Sequence, residues 1–191
     1  MTRPSPAVFL DRDGTLLHEV GYLSRREDVR WYPFSVDAVR LLNRAGFRVF
    51  VITNQGGIGL GMFTQAFVDQ THAELAAHAE AGGAHVEAWL YCPHHPRATV
   101  PGLAIDCDCR KPKPGLVRQA ERMHPLDLAR SFVVGDKQVD IDLAAQVGAR
   151  GVLVETGHGA AELARQGGQM PGAAFVATDL MEATSWILRQ A

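Results

Sequence analysis

Short runs of β-branched and aromatic residues recur along the chain, and between them apolar residues return every three or four positions. The first pattern fits buried strands and the second amphipathic helices, so their alternation predicts an α/β fold, a parallel sheet flanked by helices. The runs are Ala7 to Leu10, Phe47 to Ile52, Val86 to Tyr91, Ser131 to Val134 and Gly151 to Val154, with Ala174 to Val176 as a short sixth. Ser35 is placed to cap a helix that carries Val36, Val39, Leu42 and Ala45 on one face and ends at Gly46. Thr64 opens the next, with Phe67, Val68, Thr71, Leu75 and Ala79 toward the core and Gly82-Gly83 closing it. Pro114 starts a helix that runs to Met123, Asp140 to Val147 forms a fourth, and Leu180 to Leu188 a last. Two connections exceed plain turns, roughly Asp11 to Pro33 and Cys92 to Lys113, and long loops in a compact domain tend to carry function. No repeat, low-complexity tract or linker interrupts the pattern, so one domain is expected over residues 1–191.

Composition narrows the partners. With 47% hydrophobic and 21% charged residues the chain is an ordinary globular sequence. Its 19 Lys and Arg against 21 Asp and Glu leave a net charge of −2, with no global positive field for a polyanion, and no nucleic-acid partner is expected. Ala7-Val8-Phe9-Leu10 is cut off at once by charge, so it does not read as a secretory signal, and no run approaches the ~20 apolar residues of a membrane span. A cytoplasmic location and no membrane partner follow as expectations. Three cysteines, two of them only two positions apart, make a poor disulfide framework and suit thiol ligands in a reducing compartment.

In an open parallel sheet ligands bind beyond the carboxyl ends of the strands. Past the first strand stands Asp11-Arg12-Asp13-Gly14-Thr15. An isolated Asp-Gly is most simply a turn, but here it has company. Thr53-Asn54-Gln55-Gly56-Gly57 follows the second strand, Arg110-Lys111-Pro112-Lys113-Pro114 precedes a helix, and Gly135-Asp136-Lys137 follows the fourth strand, with Asp140 and Asp142 close behind. Clustered carboxylates call for a hard cation, and Mg²⁺ takes one or two of them together with phosphate oxygens. A carboxylate can attack phosphorus, a second can protonate the departing alkoxide, and Lys and Thr donors can stabilise the transferred group.

The set Asp11-x-Asp13-Gly14-Thr15, Thr53, Lys111 and Gly135-Asp136 resembles the four motifs of the haloacid dehalogenase (HAD) superfamily phosphatases, in order, from Val8 to about Val154. The resemblance implies a Rossmann-like sheet with helices on both faces, Asp11 as nucleophile and Asp13 as general acid and then base. It also implies catalytic Mg²⁺ on Asp11, the main-chain carbonyl of Asp13, and Asp136, with Thr53 and Lys111 on the phosphoryl oxygens. Asp140 is left between orienting Lys137 or a metal-bound water and merely belonging to the helix start. No insertion is long enough for a cap domain, and no spare amphipathic segment suggests a large interface, so a capless monomer is expected.

All three cysteines lie in one loop, about residues 92–109, as Cys92-Pro93-His94-His95 and Cys107-Asp108-Cys109. Cys92, His94, Cys107 and Cys109 would make a four-ligand zinc site, structural because no position stays open. His94 is preferred because Cys-x-His mirrors Cys-x-Cys, and His95 is the alternative. A zinc loop here narrows the resemblance to the HAD subgroup of heptose-bisphosphate and histidinol-phosphate phosphatases. That subgroup implies a small sugar bisphosphate as partner, Arg110 on the substrate or its second phosphate, and a pocket lined by Glu19, Val20, Gly21, Tyr22, Asn54, Gln55, Gly56 and Lys137. Gly57 departs from a frequent serine, and Val139 interrupts a run that is often acidic. Two other readings are weaker. A receiver-type phosphoacceptor domain carries its phosphorylated Asp after a later strand, whereas the carboxylate pair here follows the first, and a zinc-based nucleic-acid module conflicts with the charge of −2.

Overall fold

Successive residues of a strand face opposite sides of a sheet, and this alternation divides the core in two. The computed structural model describes residues 4–190; the ends of the expected domain, residues 1–3 and 191, lie outside the described residues. Six strands, β1 (Ala7–Leu10), β2 (Arg48–Asn54), β3 (Ala88–Cys92), β4 (Phe132–Gly135), β5 (Arg150–Val154) and β6 (Ala173–Ala177), form one sheet in the order β3-β2-β1-β4-β5-β6. Every pairing is parallel. Val8, Leu10, Val49, Val51, Val134 and Val152 pack on one face against α1 (Ser35–Arg44), α2 (Gln65–Ala81) and α6 (Leu180–Leu188). Phe9, Phe50, Ile52 and Val133 pack on the other against α3 (Gly115–Met123) and α4 (Gln138–Val147). Each such side chain contributes roughly 1.5–3 kcal/mol on burial, which makes the central strands a stiff mount for whatever follows them.

The predicted elements are present with shifted ends, together with some the pattern did not disclose. A fifth helix, α5 (Gly159–Arg165), and short 3₁₀ turns at Arg26–Asp28 and Leu128–Arg130 were not foreseen. They are too short for a periodic signal to develop. Thr64 caps α2 as read, its hydroxyl accepting from the Phe67 N–H at 3.1 Å. Ser35 is no cap: it lies inside α1, fully buried, and its hydroxyl donates to the Leu16 carbonyl at 2.8 Å, tying the first long loop to the helix. α4 starts at Gln138, before Asp140, and that places Asp140 in its first turn.

The chain leaves β1 toward β2 on one side and leaves β4 toward β5 on the other, so a crevice opens between the carboxyl ends of β1 and β4. Between Asp13 and Thr53 stand only the loop, a 3₁₀ turn and α1; between Thr53 and Lys111, α2, β3 and the cysteine loop. Among the described residues no separate cap covers the crevice. The crossing of chain segments is tight. Gly14 has φ +84°, and a Cβ there would lie 2.1 Å from an Asp136 carboxylate oxygen. Only glycine lets the first motif close on the fourth.

Candidate active site and cysteine loop

Asp11 leaves β1, Thr53 and Asn54 end β2, and Asp136 leaves β4, so three strand ends converge. One oxygen each from Asp11, Asp136 and Asp140 lies within 4.8 Å of the others, and all three residues are buried. Lys111 reaches two of them, Asp11 and Asp140. Its ammonium is 2.9 Å from Asp11 Oδ1, 2.7 Å from Asp140 Oδ1 and 2.9 Å from the Ile52 carbonyl. Burial alone would pull the Lys111 ammonium down, but Asp11 and Asp140 raise its pKa instead. Asp140, left open by the sequence, therefore has a definite place. It is the counter-charge that lets Lys111 be buried, and its second oxygen accepts from the Lys137 N–H at 3.3 Å at the start of α4.

Asp136 carries the unmet demand. Burial first, and then the Asp11 charge, push its carboxyl up to about 7. Oδ2 accepts from the His158 N–H at 2.8 Å, whereas the buried Oδ1 has no hydrogen-bond partner and only the Lys137 ammonium at 3.6 Å. Oxygen donors, excess negative charge and an orphaned buried oxygen fit Mg²⁺. Asp11 and Asp136 offer carboxylates to it. The Asp13 side chain is turned to Arg12 and Gln55, which leaves its main-chain carbonyl for a metal.

A titration tests this reading. In the metal-free protein Asp136 holds a proton below about pH 7, and a divalent cation must displace it. Apparent Mg²⁺ affinity should then fall about tenfold per pH unit below that value and level off above it. Calorimetric Mg²⁺ titration between pH 5.5 and 8.5 checks this, and a flat profile would show that Asp136 is already ionised across that range, overturning its raised pKa.

The crevice is a cavity of about 510 Å³. Of the residues expected to bind substrate, Glu19, Gly21, Tyr22, Asn54, Gln55, Gly56, Arg110 and Lys137 line it. Val20 does not; it is exposed on the outside of its loop. Asn54 is tied at both ends of its amide, donating to the Lys111 carbonyl at 3.2 Å and accepting from its N–H at 3.0 Å, so it shapes the lysine's loop. Glu19 pairs with Lys137 at 3.2 Å and faces His158 Nε2 at 3.3 Å. Gln55 donates to Asp13 Oδ2 and to Thr53 Oγ1, at 2.9 Å each.

Leu23, Phe63, His95, Val139 and His158 complete the wall and were not foreseen. For His158 a signal existed: Glu155-Thr156-Gly157-His158 directly follows β5 and is as polar and glycine-bearing as the segment after β4. Gly57 is explained by its neighbours, because a Cβ there would meet the Phe63 ring at 2.3 Å and Tyr22 at 3.0 Å. A serine at this position requires those rings to sit elsewhere.

On the rim, β3 ends in Cys92, and Cys92, His94, Cys107 and Cys109 meet. Cys92 Sγ lies 3.5 Å from His94 Nδ1 and 3.5 Å from Cys107 Sγ, while Cys109 Sγ lies 3.3 Å from His94 Nδ1 and 3.4 Å from Cys107 Sγ. Zinc–sulfur bonds of ~2.3 Å give a tetrahedron with edges of roughly 3.8 Å, near these values. None of the three cysteines forms a disulfide. Burial raises the Cys92 and Cys109 thiols, and a bound Zn²⁺ would hold them as thiolates. His95 belongs elsewhere: its Nδ1 accepts from the Arg97 N–H at 3.1 Å and its ring faces the cavity. The loop and the crevice are joined, since Arg110 donates to the His94 carbonyl at 2.9 Å.

The profile of the HAD-hydrolase-like family matches residues 108–183. The chain is 39% identical to the D-glycero-beta-D-manno-heptose-1,7-bisphosphate 7-phosphatase of Rhodopseudomonas palustris, over 78% of this chain and 83% of that one. It is 40% identical to the D-glycero-D-manno-heptose-1,7-bisphosphate 7-phosphatase of Thermosynechococcus vestitus, over 96% of each. The crystal structure of D,D-heptose 1,7-bisphosphate phosphatase from B. bronchiseptica, complexed with magnesium and phosphate, is similar with a TM-score of 0.85 at 33% identity, covering 97% of this chain and 99% of that one.

Proposed function

The chain belongs to the HAD-like hydrolase family that its heptose-bisphosphate phosphatase relatives share, and from that premise we propose that it removes the C7 phosphate of D-glycero-D-manno-heptose 1,7-bisphosphate. The product is heptose 1-phosphate, a precursor for nucleotide-activated heptose and the lipopolysaccharide core. One observation carries the reading: Asp11, Asp13, Thr53 and Lys111 line a single cavity with the cationic side chains Arg110 and Lys137.

The reaction runs in two halves. An Asp11 oxygen attacks phosphorus, the bond to the C7 oxygen breaks, and Asp13 gives that oxygen its proton. The ionised Asp13 then takes a proton from water, whose oxygen attacks the aspartyl-phosphate, releasing inorganic phosphate and restoring Asp11. Lys111 and Thr53 donate to the phosphoryl oxygens as charge spreads over them. Asp11, Asp136 and the Asp13 carbonyl would hold Mg²⁺, which would supply positive charge against the phosphate there. Zn²⁺ on the cysteine loop is structural and takes no part in the chemistry. Arg110 receives the second phosphate by charge-assisted hydrogen bonds.

We further propose a single domain over residues 1–191 that acts as a monomer in the cytoplasm. The continuous sheet supports the first point, and among the described residues no helix is long and apolar enough to cross a membrane.

A substrate panel tests the assignment. With Mg²⁺ present, kcat/KM for both anomers of the heptose bisphosphate should exceed that for histidinol phosphate by roughly 10- to 100-fold, the worth of one charge-assisted bond to the second phosphate. Histidinol phosphate turned over equally well or better would overturn the sugar-bisphosphate reading.

A further inference from the structure

Arg12, between the two motif carboxylates, has no role in the chemistry above, yet it is among the largest fully buried side chains, with 1% of its surface exposed. All three guanidinium nitrogens are engaged. Nε donates to Asp13 Oδ1 at 3.0 Å and Oδ2 at 3.2 Å, and one terminal nitrogen donates to Asp13 Oδ2 at 2.8 Å and to Gln55 Oε1 at 3.0 Å. The other lies 3.1 Å from His72 Nε2.

His72 sits on α2, is 5% exposed, and packs between the rings of Trp89 and Tyr91 on β3. It is not part of the cavity wall. Arg12 has no acceptor of its own, so His72 Nε2 accepts, and the ring proton is on Nδ1.

The two oxygens of Asp13 are thereby made unequal. Oδ2 receives Arg12 Nε, an Arg12 terminal nitrogen and the Gln55 amide. Oδ1 receives only Arg12 Nε. The single Nε–H is shared, nearer to Oδ1 at 3.0 Å than to Oδ2 at 3.2 Å, whereas the Arg12 terminal nitrogen and the Gln55 amide both donate to Oδ2, filling its lone pairs, so proton transfer falls to Oδ1. The side chain of Asp13 is 17% exposed and lines the cavity.

We propose that Arg12, braced by His72, is a positioning residue that pins Oδ2 of Asp13 and presents Oδ1 to the leaving-group oxygen. The inference rests on the phosphatase reading, with Asp13 as general acid. The planar fork is essential to it, because a lysine keeps the charge but cannot span Asp13, Gln55 and His72 at once. His72 carries the constraint to the interface of α2 and β3, so the packing of that interface sets the aim of the acid.

The test uses leaving groups. An alkyl phosphate needs its oxygen protonated as it departs, whereas p-nitrophenolate leaves as a stable anion and gains little from an acid. Arg12→Met should lower kcat/KM for the heptose bisphosphate about 100-fold, the lower end of what general acid catalysis supplies. For p-nitrophenyl phosphate it should change by less than about fivefold, the proton then being dispensable. Arg12→Lys should recover part of the loss. His72→Phe keeps the aromatic contacts and deletes the acceptor, and it should show the same asymmetry on a smaller scale.

Equal losses on the two esters, or none, in the folded variants would sink the assignment and leave Arg12 as packing. Failure of the wild type to turn over either ester would instead refute the parent reading. The two failures are distinct.

Discussion

Asp11→Asn should leave a folded protein that does not turn over. The amide oxygen can still accept from Lys111 Nζ and from the Arg12 N–H, which lie 2.9 and 2.7 Å from Asp11 Oδ1, so the local bonds survive. Lys111 also keeps Asp140 as counter-charge at 2.7 Å. What is lost is the anionic oxygen that bonds to phosphorus, and kcat should fall on the order of 10⁴-fold or more, the scale for deleting a catalytic nucleophile. Steady-state turnover, with mass spectrometry to show that the introduced asparagine has not deamidated back to aspartate, checks this. Activity within about a hundredfold of wild type would falsify the aspartyl-phosphate mechanism.

Removing zinc should also lower activity, less steeply and by a different route. Metal analysis of protein freed of Mg²⁺ should still find about one zinc per chain, since four protein ligands would enclose the ion. Cys109→Ser opens that shell. The residues next in sequence are Arg110, bonded to the His94 carbonyl at 2.9 Å, and Lys111, at the centre of the carboxylates. Displacing them by an ångström or so should lower kcat/KM about 100-fold, and melting temperature should fall as well. Added Mg²⁺ should restore neither. Absence of zinc from the wild type would remove the structural-zinc assignment, and wild-type activity in a zinc-free variant would uncouple the loop from the site.

These expectations began in local pattern, and some particular residues show how far that pattern reaches. Asp11, Thr53 and Asp136 were legible because each stands at the carboxyl end of a strand that is itself visible as a short apolar run. The cluster of Cys92, His94, Cys107 and Cys109 was legible because Cys-x-His and Cys-x-Cys are chemical spacings that need no fold to be noticed. Ser35 was misread. The residue type suits a cap, but a hydroxyl serves whichever acceptor tertiary packing supplies, here the Leu16 carbonyl. Val20 was carried along with its loop, and side-chain direction on a loop has no period to reveal it. His158 was readable in principle, by the same rule that found Asp136, applied one strand later.

Composition, periodicity and turn chemistry are properties of neighbouring residues, and by themselves they determined the parallel sheet, its strands, the carboxylates at its carboxyl edge and the cysteine loop. Only the tertiary structure decided who meets whom. Lys111 with Asp140, Glu19 with Lys137 and His158, and Arg12 with His72 are joined across 29, 118, 139 and 60 positions. Those pairings depend on the order β3-β2-β1-β4-β5-β6, in which the chain returns past β1 to build the other half of the sheet. No local signal records that return, because it is the burial of both sheet faces at once that selects it.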